Sequence, residues 1–256
     1  MIPLFALRLI CGLSATWCVA PRREITSGFF RIQMLLTLGM SALLAVTAWQ
    51  VPHPEVGTGK YVPMGLFAVG IGLAFASFLG SIAWTLERRQ GGFFFALLVL
   101  VISTAGVAMS AVTLARPGES PAARVADSLT SAGLIGSVTA TMLLGHWYLT
   151  ATGMSLTPLV SYVRIFGGAV VVRIVAWLLI GTGGPESGFL YILRWAGLIG
   201  PAVLVPVTLG TLRYRNTQSA TGVLYAATIL VFMGEAAAAL LDPMQINPTQ
   251  ANSAGV

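Results

Sequence analysis

The stretch ATILVFMGEAAAALL, residues 227 to 241, places one carboxylate, Glu235, among fourteen uncharged neighbours. A run of about 20 apolar residues crosses the hydrocarbon of a bilayer as a helix. An isolated charge in such a helix is costly, so ionisable groups in membrane spans normally face protein or water and pair with each other. The stretch therefore indicates a membrane-spanning helix, and it predicts a basic partner for Glu235 on a neighbouring span.

The composition of the whole chain points to the same environment. Of 256 residues, 56% are hydrophobic and 9% are charged, and the mean hydropathy is +0.86. Soluble domains have about a quarter of their residues charged, which this chain lacks. The net charge of +6 does not indicate nucleic acid, because the basic residues lie in short gaps between apolar segments. We predict an all-α integral membrane bundle whose partner is the lipid bilayer.

Eight apolar segments follow one another with short connections. They are residues 2–20, 32–50, 63–86, 92–115, 128–150, 159–181, 188–211 and 220–241. The first segment is expected to be a retained helix, because its basic residues follow the apolar run and do not precede it. We predict a single transmembrane domain, residues 1–241, followed by a polar C-terminal tail, residues 242–256.

Arginine and lysine residues are unequally divided between alternate connections. One side carries Arg22, Arg23, Arg31, Arg88, Arg89, Arg164, Arg213 and Arg215; the other carries Lys60, Arg116 and Arg124, together with Glu55, Glu119, Asp127 and Glu186. Cytoplasmic loops are the ones enriched in basic residues. We therefore predict that both termini are on the outer, periplasmic side of a bacterial inner membrane.

Four ionisable groups fall within spans, namely Arg8, Arg173, Arg194 and Glu235. At about 1.5 Å per residue, Arg194 and Glu235 come to nearly the same depth, Arg8 lies at a similar height, and Arg173 lies closer to the midplane. This ranking predicts Arg194 as the first partner of Glu235, with Arg8 or Arg173 second. The pair is either a static lock between helices seven and eight or the border of a proton path or ligand site.

Two further features surround this pair. Helix eight carries a mostly polar lane on one face, formed by Thr221, Tyr225, Thr228, Phe232 and Glu235. Helix seven contains Pro201 and Pro206, each of which removes a backbone hydrogen bond and bends a helix. Kinked spans of this kind occur around transporter binding sites and also in plain bundles.

The segment GHWYL, residues 145 to 149, sets His146 and Tyr148 near the cytoplasmic boundary. They indicate either groups that hydrogen-bond a quinone carbonyl or relay a proton, or an interfacial anchor. The other histidine, His53, is predicted in an outer loop, so a haem with two histidine ligands is not expected. Cys11 and Cys18 have no metal-ligand spacing. We predict no covalent or metal cofactor, and we name quinone and bound lipids as candidate ligands.

Small residues and tryptophans recur at regular spacing. Small residues four apart, which permit close helix contact, are Gly72, Ala76 and Gly80 on helix three and Ala132, Gly136 and Ala140 on helix five. Trp17, Trp84 and Trp147 each stand near the cytoplasmic end of an odd-numbered helix. The tryptophans indicate either repeated helical hairpins or an interfacial aromatic belt.

The sequence contains no Walker loop, dinucleotide fingerprint, Ser-His-Asp constellation or HExxH motif, so we predict no catalytic residue and no enzyme activity of the chain alone. In helix number and orientation it resembles the quinone-interacting anchor subunits of the polysulfide-reductase type, which span eight times without haem. No motif of that family maps onto individual residues here, so the resemblance assigns no site.

The sequence leaves three functions open. The first is a membrane subunit of a larger respiratory or electron-transfer complex, which contacts other membrane subunits and contributes to a quinone site or proton path. The second is a secondary transporter or channel with a kinked seventh helix. The third is a purely structural or assembly subunit.

Overall fold

The part of the chain that the structure describes folds into eight long helices. The computed structural model describes residues 2–51, 60–115, 119–151, 154–180 and 188–241. The helices are α1 Ile2–Val19, α2 Ser27–Thr47, α3 Val62–Thr85, α4 Arg89–Thr113, α5 Pro121–Thr150, α6 Thr157–Ile180, α7 Gly188–Arg213 and α8 Thr217–Leu241. All eight are long and apolar enough to cross a membrane, which confirms the predicted all-α bundle. His53 and the predicted tail, residues 242–256, lie outside the described residues.

Two helices begin well before the predicted segments. The second starts at Ser27 and not at residue 32, and the fifth starts at Pro121 and not at residue 128. Arg31 in α2, and Arg124 and Asp127 in α5, interrupt the apolar pattern near these starts, so hydropathy places the segments too late. The extension of α5 places Asp127 inside a helix, six residues from its start, and not in a connection.

Many of the hydroxyl groups inside the spans are satisfied locally. Thr16 donates to the Gly12 carbonyl at 2.8 Å, and Ser41 donates to the Thr37 carbonyl at 2.7 Å. Such bonds reach the carbonyl four residues earlier on the same helix, so a serine or threonine needs no partner on another helix. These residues therefore fit an apolar environment without building a polar pathway.

The helices pack as two rings of four. In the first ring α1 contacts α2, α2 contacts α3, α3 contacts α4, and α4 returns to α1; α5 to α8 repeat this order. The rings join mainly along α1 and α5. The contacts thus recur every four helices, and the two-helix repeat suggested by the tryptophans stays a prediction. We call the side where α1, α3, α5 and α7 begin the start side, and the other the opposite side.

Glycines bring α1 and α5 into backbone contact. A Cβ on Gly136 would lie 2.0 Å from the Gly12 carbonyl carbon, and one on Gly12 would lie 1.8 Å from the Ala132 oxygen. The prediction of close contact at Ala132 and Gly136 is therefore confirmed. On α3 the prediction was wrong for Gly72. A Cβ added there would have nothing within 4 Å, because the helix turns Gly70, and not Gly72, toward α2.

Aromatic side chains fill the core near the opposite side. Trp17 and Trp84 are 1% and 2% exposed, and the Trp84 ring stacks on Phe30 with centroids 4.6 Å apart. The belt interpretation is therefore wrong for these two tryptophans, since an interfacial belt faces lipid and they face protein. Hydrogen bonds also join the α1–α2 connection to the start of α4, because Arg89 donates to the carbonyls of Arg22 and Arg23 at 3.2 Å.

Candidate functional site: buried charges near the start side

Five ionisable side chains reach a common level of the bundle. Arg8, Asp127, Arg173, Arg194 and Glu235 each lie six or seven residues from the start-side end of their helix. At about 1.5 Å per residue, that is roughly 10 Å below the helix ends. The predicted match in depth between Arg194 and Glu235 is confirmed, and Arg173 shares that level.

Arg173 is the partner of Glu235. Its Nε donates to Oε1 of Glu235 at 2.9 Å and its Nη2 to Oε2 at 3.1 Å. Its Nη1 donates to the Asp127 carboxylate at 2.6 Å and to the Thr130 hydroxyl at 3.1 Å. The Ser131 hydroxyl also donates to Oε2 of Glu235. One guanidinium therefore joins two carboxylates and ties α5, α6 and α8 together.

The prediction that Glu235 meets an arginine is confirmed, but the first-ranked arginine was wrong. Arg194 is buried with its guanidinium carbon 6.0 Å from the centre of the Trp177 ring, the distance of a cation–π contact. The ranking rested on depth and placed Arg173 closer to the midplane, which is wrong, because α6 ends only seven residues beyond Arg173. Instead Arg173 reaches across the interior of the second ring, in which α6 and α8 stand on opposite corners.

The α7–α8 pair is held by backbone contact and not by charge. A Cβ on Gly197 would lie 2.5 Å from the Cα of Gly234. The two prolines of α7, Pro201 and Pro206, lie within a helix that continues to Arg213. The predicted lock between helices seven and eight is therefore a contact of two glycines, which lets the helices approach closely.

Arg8 lies beside this network with a neutral partner. Its Nη2 donates to the Ser128 hydroxyl at 3.2 Å, and among the described residues it forms no ion pair. It also lines a small crevice between α1, α4 and α5, together with Arg124, Ser110 and Ser128. The arginine predicted as a second-rank partner of Glu235 thus serves a different part of the bundle.

A second polar group lies near the opposite side. The Tyr225 hydroxyl on α8 is 3.2 Å from Nδ1 of His146 on α5, and both side chains are exposed on the surface of the bundle. Tyr148 points elsewhere: it is buried, and its hydroxyl donates to the Ser155 carbonyl in the α5–α6 connection. Of the GHWYL segment, His146 is available to a ligand, while Tyr148 anchors a connection.

The polar lane of α8 does not form a chain of hydrogen bonds. Thr221 and Thr228 donate to the carbonyls of Thr217 and Leu224, both at 2.8 Å. These hydroxyls are therefore occupied by their own helix, and the lane does not link His146 and Tyr225 to Glu235 through side chains. The Arg173–Glu235 network and the His146–Tyr225 pair are therefore two separate sites, one at each end of α5 and α8.

Sequence reasoning missed Asp127 and Ser131 as partners of the buried charges. Both lie on α5 four residues apart, a spacing that puts them on one helix face. The capping pair Ser120 and Pro121 marks the true start of α5, and from that start Asp127 falls at the depth of Glu235. Within the described ranges, no group of three or more His, Cys, Asp or Glu side chains is arranged to hold a metal ion.

The fold and this site define a class of protein: by helix length and hydropathy the chain is a multi-pass membrane protein with ionisable groups buried inside its bundle. Its lipid contact follows from eight candidate spans. No protein-family model matches the chain, and neither a curated protein nor a solved structure matches it.

Proposed function

We propose that this chain is the integral membrane subunit of a larger complex of the respiratory or electron-transfer type, and that it contacts a quinone without a haem of its own. The observation that carries the proposal is the exposed pair of His146 and Tyr225. A quinone moves within the bilayer and presents two carbonyl oxygens. A ligand of this kind needs hydrogen-bond donors that face the membrane, not groups sealed inside a bundle.

The pair has the chemistry that a quinone requires. The Tyr225 hydroxyl is a donor and an acceptor, and His146 donates from one ring nitrogen and accepts at the other when neutral. With Tyr225 42% exposed, the hydroxyl can exchange its bond to His146 for a bond to a carbonyl oxygen. An imidazole carries one donor and one acceptor nitrogen, so it can also pass a proton to a quinone that is being reduced.

The buried charges act as a scaffold in this proposal. The bond from Ser131 to Glu235 joins α5 to α8, the same two helices that carry His146 and Tyr225. Fixing these helices at the start side restrains the distance between the two groups at the opposite side. Positioning by packed, hydrogen-bonded supports is what a binding site on a helical scaffold needs.

The orientation belongs to the same proposal. In it the basic connections, and with them the opposite side, face the cytoplasm of a bacterial inner membrane, and both termini face the periplasm, as the positive-inside rule predicts. His146 and Tyr225 would then lie near the cytoplasmic boundary, where protons for quinone reduction are taken up. Other membrane subunits would cover part of the exposed apolar surface, which includes Phe75 and Leu179.

Quinone binding to the purified full chain tests the proposal. Ubiquinone-2 is titrated into the protein in mild detergent, and quenching of tryptophan fluorescence gives the Kd. Tyr225→Phe and His146→Ala are expected to weaken binding about fivefold, since a hydrogen bond is worth roughly 1 kcal/mol. Tyr191→Phe, another exposed tyrosine on α7, is the control and should leave the Kd unchanged. Equal binding by wild type and both site variants would contradict the proposal.

A structural or assembly role is the second candidate, and the hydrogen bonds of Arg173 favour it. All three of its nitrogens donate to groups on α5 or α8, so the guanidinium is engaged in holding three helices together. In this case Glu235→Gln lowers the amount of assembled complex, and what remains keeps normal turnover per complex. Reduced turnover at normal abundance would rule out the structural role.

The transporter alternative has less support. It requires the kinked α7 to move against α8, but Gly197 and Gly234 hold these helices in backbone contact. Close-packed interiors resist gradual deformation, so this movement is disfavoured. Uptake of solute into liposomes that contain the purified chain is the result that would restore this alternative.

A further inference from the structure

We infer that the crevice between α1, α4 and α5 binds a phosphate group at the start side, with Arg8 as its principal ligand. Four polar residues line the crevice, namely Arg8, Arg124, Ser110 and Ser128. Arg124 is paired with Glu119 at 3.4 Å, so Arg8 is the cation that the crevice offers to an anion. This site is separate from the His146–Tyr225 pair, and the inference does not depend on the proposed function.

The charged groups at this level of the bundle do not balance. Three guanidinium groups, those of Arg8, Arg173 and Arg194, stand against the two carboxylates of Asp127 and Glu235; Arg173, Arg194 and Glu235 are buried, while Arg8 and Asp127 are partly buried. Both carboxylates are bound by Arg173. One positive charge is therefore in surplus at a depth where charges normally pair.

Arg8 is the group that lacks an anion. The charge of Arg194 faces the Trp177 ring, whereas Arg8 donates only to the neutral Ser128 hydroxyl among the described residues. A guanidinium carries five donors in a planar fork, and that fork matches phosphate oxygens in pairs. An anion in the crevice would supply the missing acceptor.

The crevice is large enough for one oxygen atom of a phosphate group. It offers about 20 Å³ of free space for an atom the size of a water oxygen, slightly more than a single water needs. One phosphate oxygen can therefore enter between the helices while the remaining oxygens stay at the mouth. Leu4 and Leu114 complete the lining near the start-side ends of α1 and α4.

The position suits the phosphate of a lipid headgroup or a free phosphate ion. Side chains of a helix tilt toward its N-terminus, so Arg8 on α1 and Arg124 on α5 both lean toward the start side. Long basic side chains reach the membrane interface in this way. Basic pockets between transmembrane helices bind anionic headgroups, and a phosphodiester carries the single negative charge that balances the surplus.

The test compares three phosphate compounds on the delipidated full chain in detergent: phosphatidylglycerol, phosphatidylcholine and inorganic phosphate. Thermal unfolding and native mass spectrometry report binding. Phosphatidylglycerol is expected to raise the Tm and to bind more tightly than phosphatidylcholine, which has no net charge. Stabilisation by inorganic phosphate at millimolar concentration instead identifies the free ion as the source. No binding of either anion, or equal binding of the two lipids, would overturn the inference.

Variants assign the site to Arg8. Arg8→Gln is expected to weaken binding of the anion at least about tenfold, which is the effect of losing a charge-assisted contact. Arg164→Gln removes an exposed arginine at the opposite side and should bind as wild type does. If Arg8→Gln does not fold, Ala111→Met fills the crevice without removing a charge, and Val112→Met on the exposed face of α4 is its control. A folded Arg8→Gln or Ala111→Met protein with undiminished affinity would refute the assignment.

Discussion

Arg173 is the residue on which the buried charges depend. It is 2% exposed, and it donates to carboxylates on two other helices. Removing one partner of a buried ion pair costs about 3–5 kcal/mol, because the other charge stays buried without compensation. Here the loss of one guanidinium would leave the buried carboxylate of Glu235 and the partly buried carboxylate of Asp127 without their partner, so Arg173 is more critical than either acid.

Replacing Arg173 with methionine is therefore expected to destabilise the bundle by at least about 3 kcal/mol. Arg164→Met is the matched control, since Arg164 lies on the same helix and is exposed. Size-exclusion chromatography in detergent and the Tm of the purified proteins measure the difference. An Arg173→Met protein as stable as the Arg164→Met protein would show that the network contributes nothing to folding.

At the scale of the helices, glycine contacts decide which elements approach closely. Gly12 and Gly136 set the distance between α1 and α5, and Gly197 and Gly234 set that between α7 and α8. Lipid tails are as apolar as leucine, so helix association in membranes relies on packing and not on a hydrophobic difference. A single methyl group added to any of these glycines would force the two helix backbones apart.

Gly136→Ala is expected to destabilise the protein by about 1–3 kcal/mol, the usual cost of overpacking. Gly133→Ala lies on the same helix with nothing within 4 Å of the added Cβ, and it should be neutral or stabilising because alanine is the better helix former. Both proteins are compared by thermal unfolding in the same detergent. A lower Tm for Gly133→Ala than for Gly136→Ala would contradict the role of the α1–α5 contact.

For the whole molecule, the unequal distribution of basic residues predicts the orientation. The exposed side chain of Tyr214 lies in the α7–α8 connection at the opposite side, and Tyr61 lies at the beginning of α3 at the start side. The positive-inside rule puts Tyr214 in the cytoplasm and Tyr61 outside.

Cysteine labelling measures this orientation. In intact spheroplasts a membrane-impermeant maleimide is expected to label Tyr61→Cys, and to label Tyr214→Cys only after the membrane is permeabilised. The wild-type chain, in which Cys11 is buried and Cys18 is partly buried, gives the background. The reverse pattern would invert the topology and move His146 and Tyr225 to the outer boundary.

The sequence by itself determined that the chain lies in a lipid membrane, the number of its spans and the need of Glu235 for a basic partner. These follow from hydropathy and from the cost of a buried charge, which act along one helix at a time. Only the tertiary structure decided that the partner is Arg173, that Asp127 and Ser131 join it, and that Arg8 lies in a crevice. Those outcomes depend on which helices are neighbours in the two rings, and neighbours are set by side-chain packing between helices far apart in the chain.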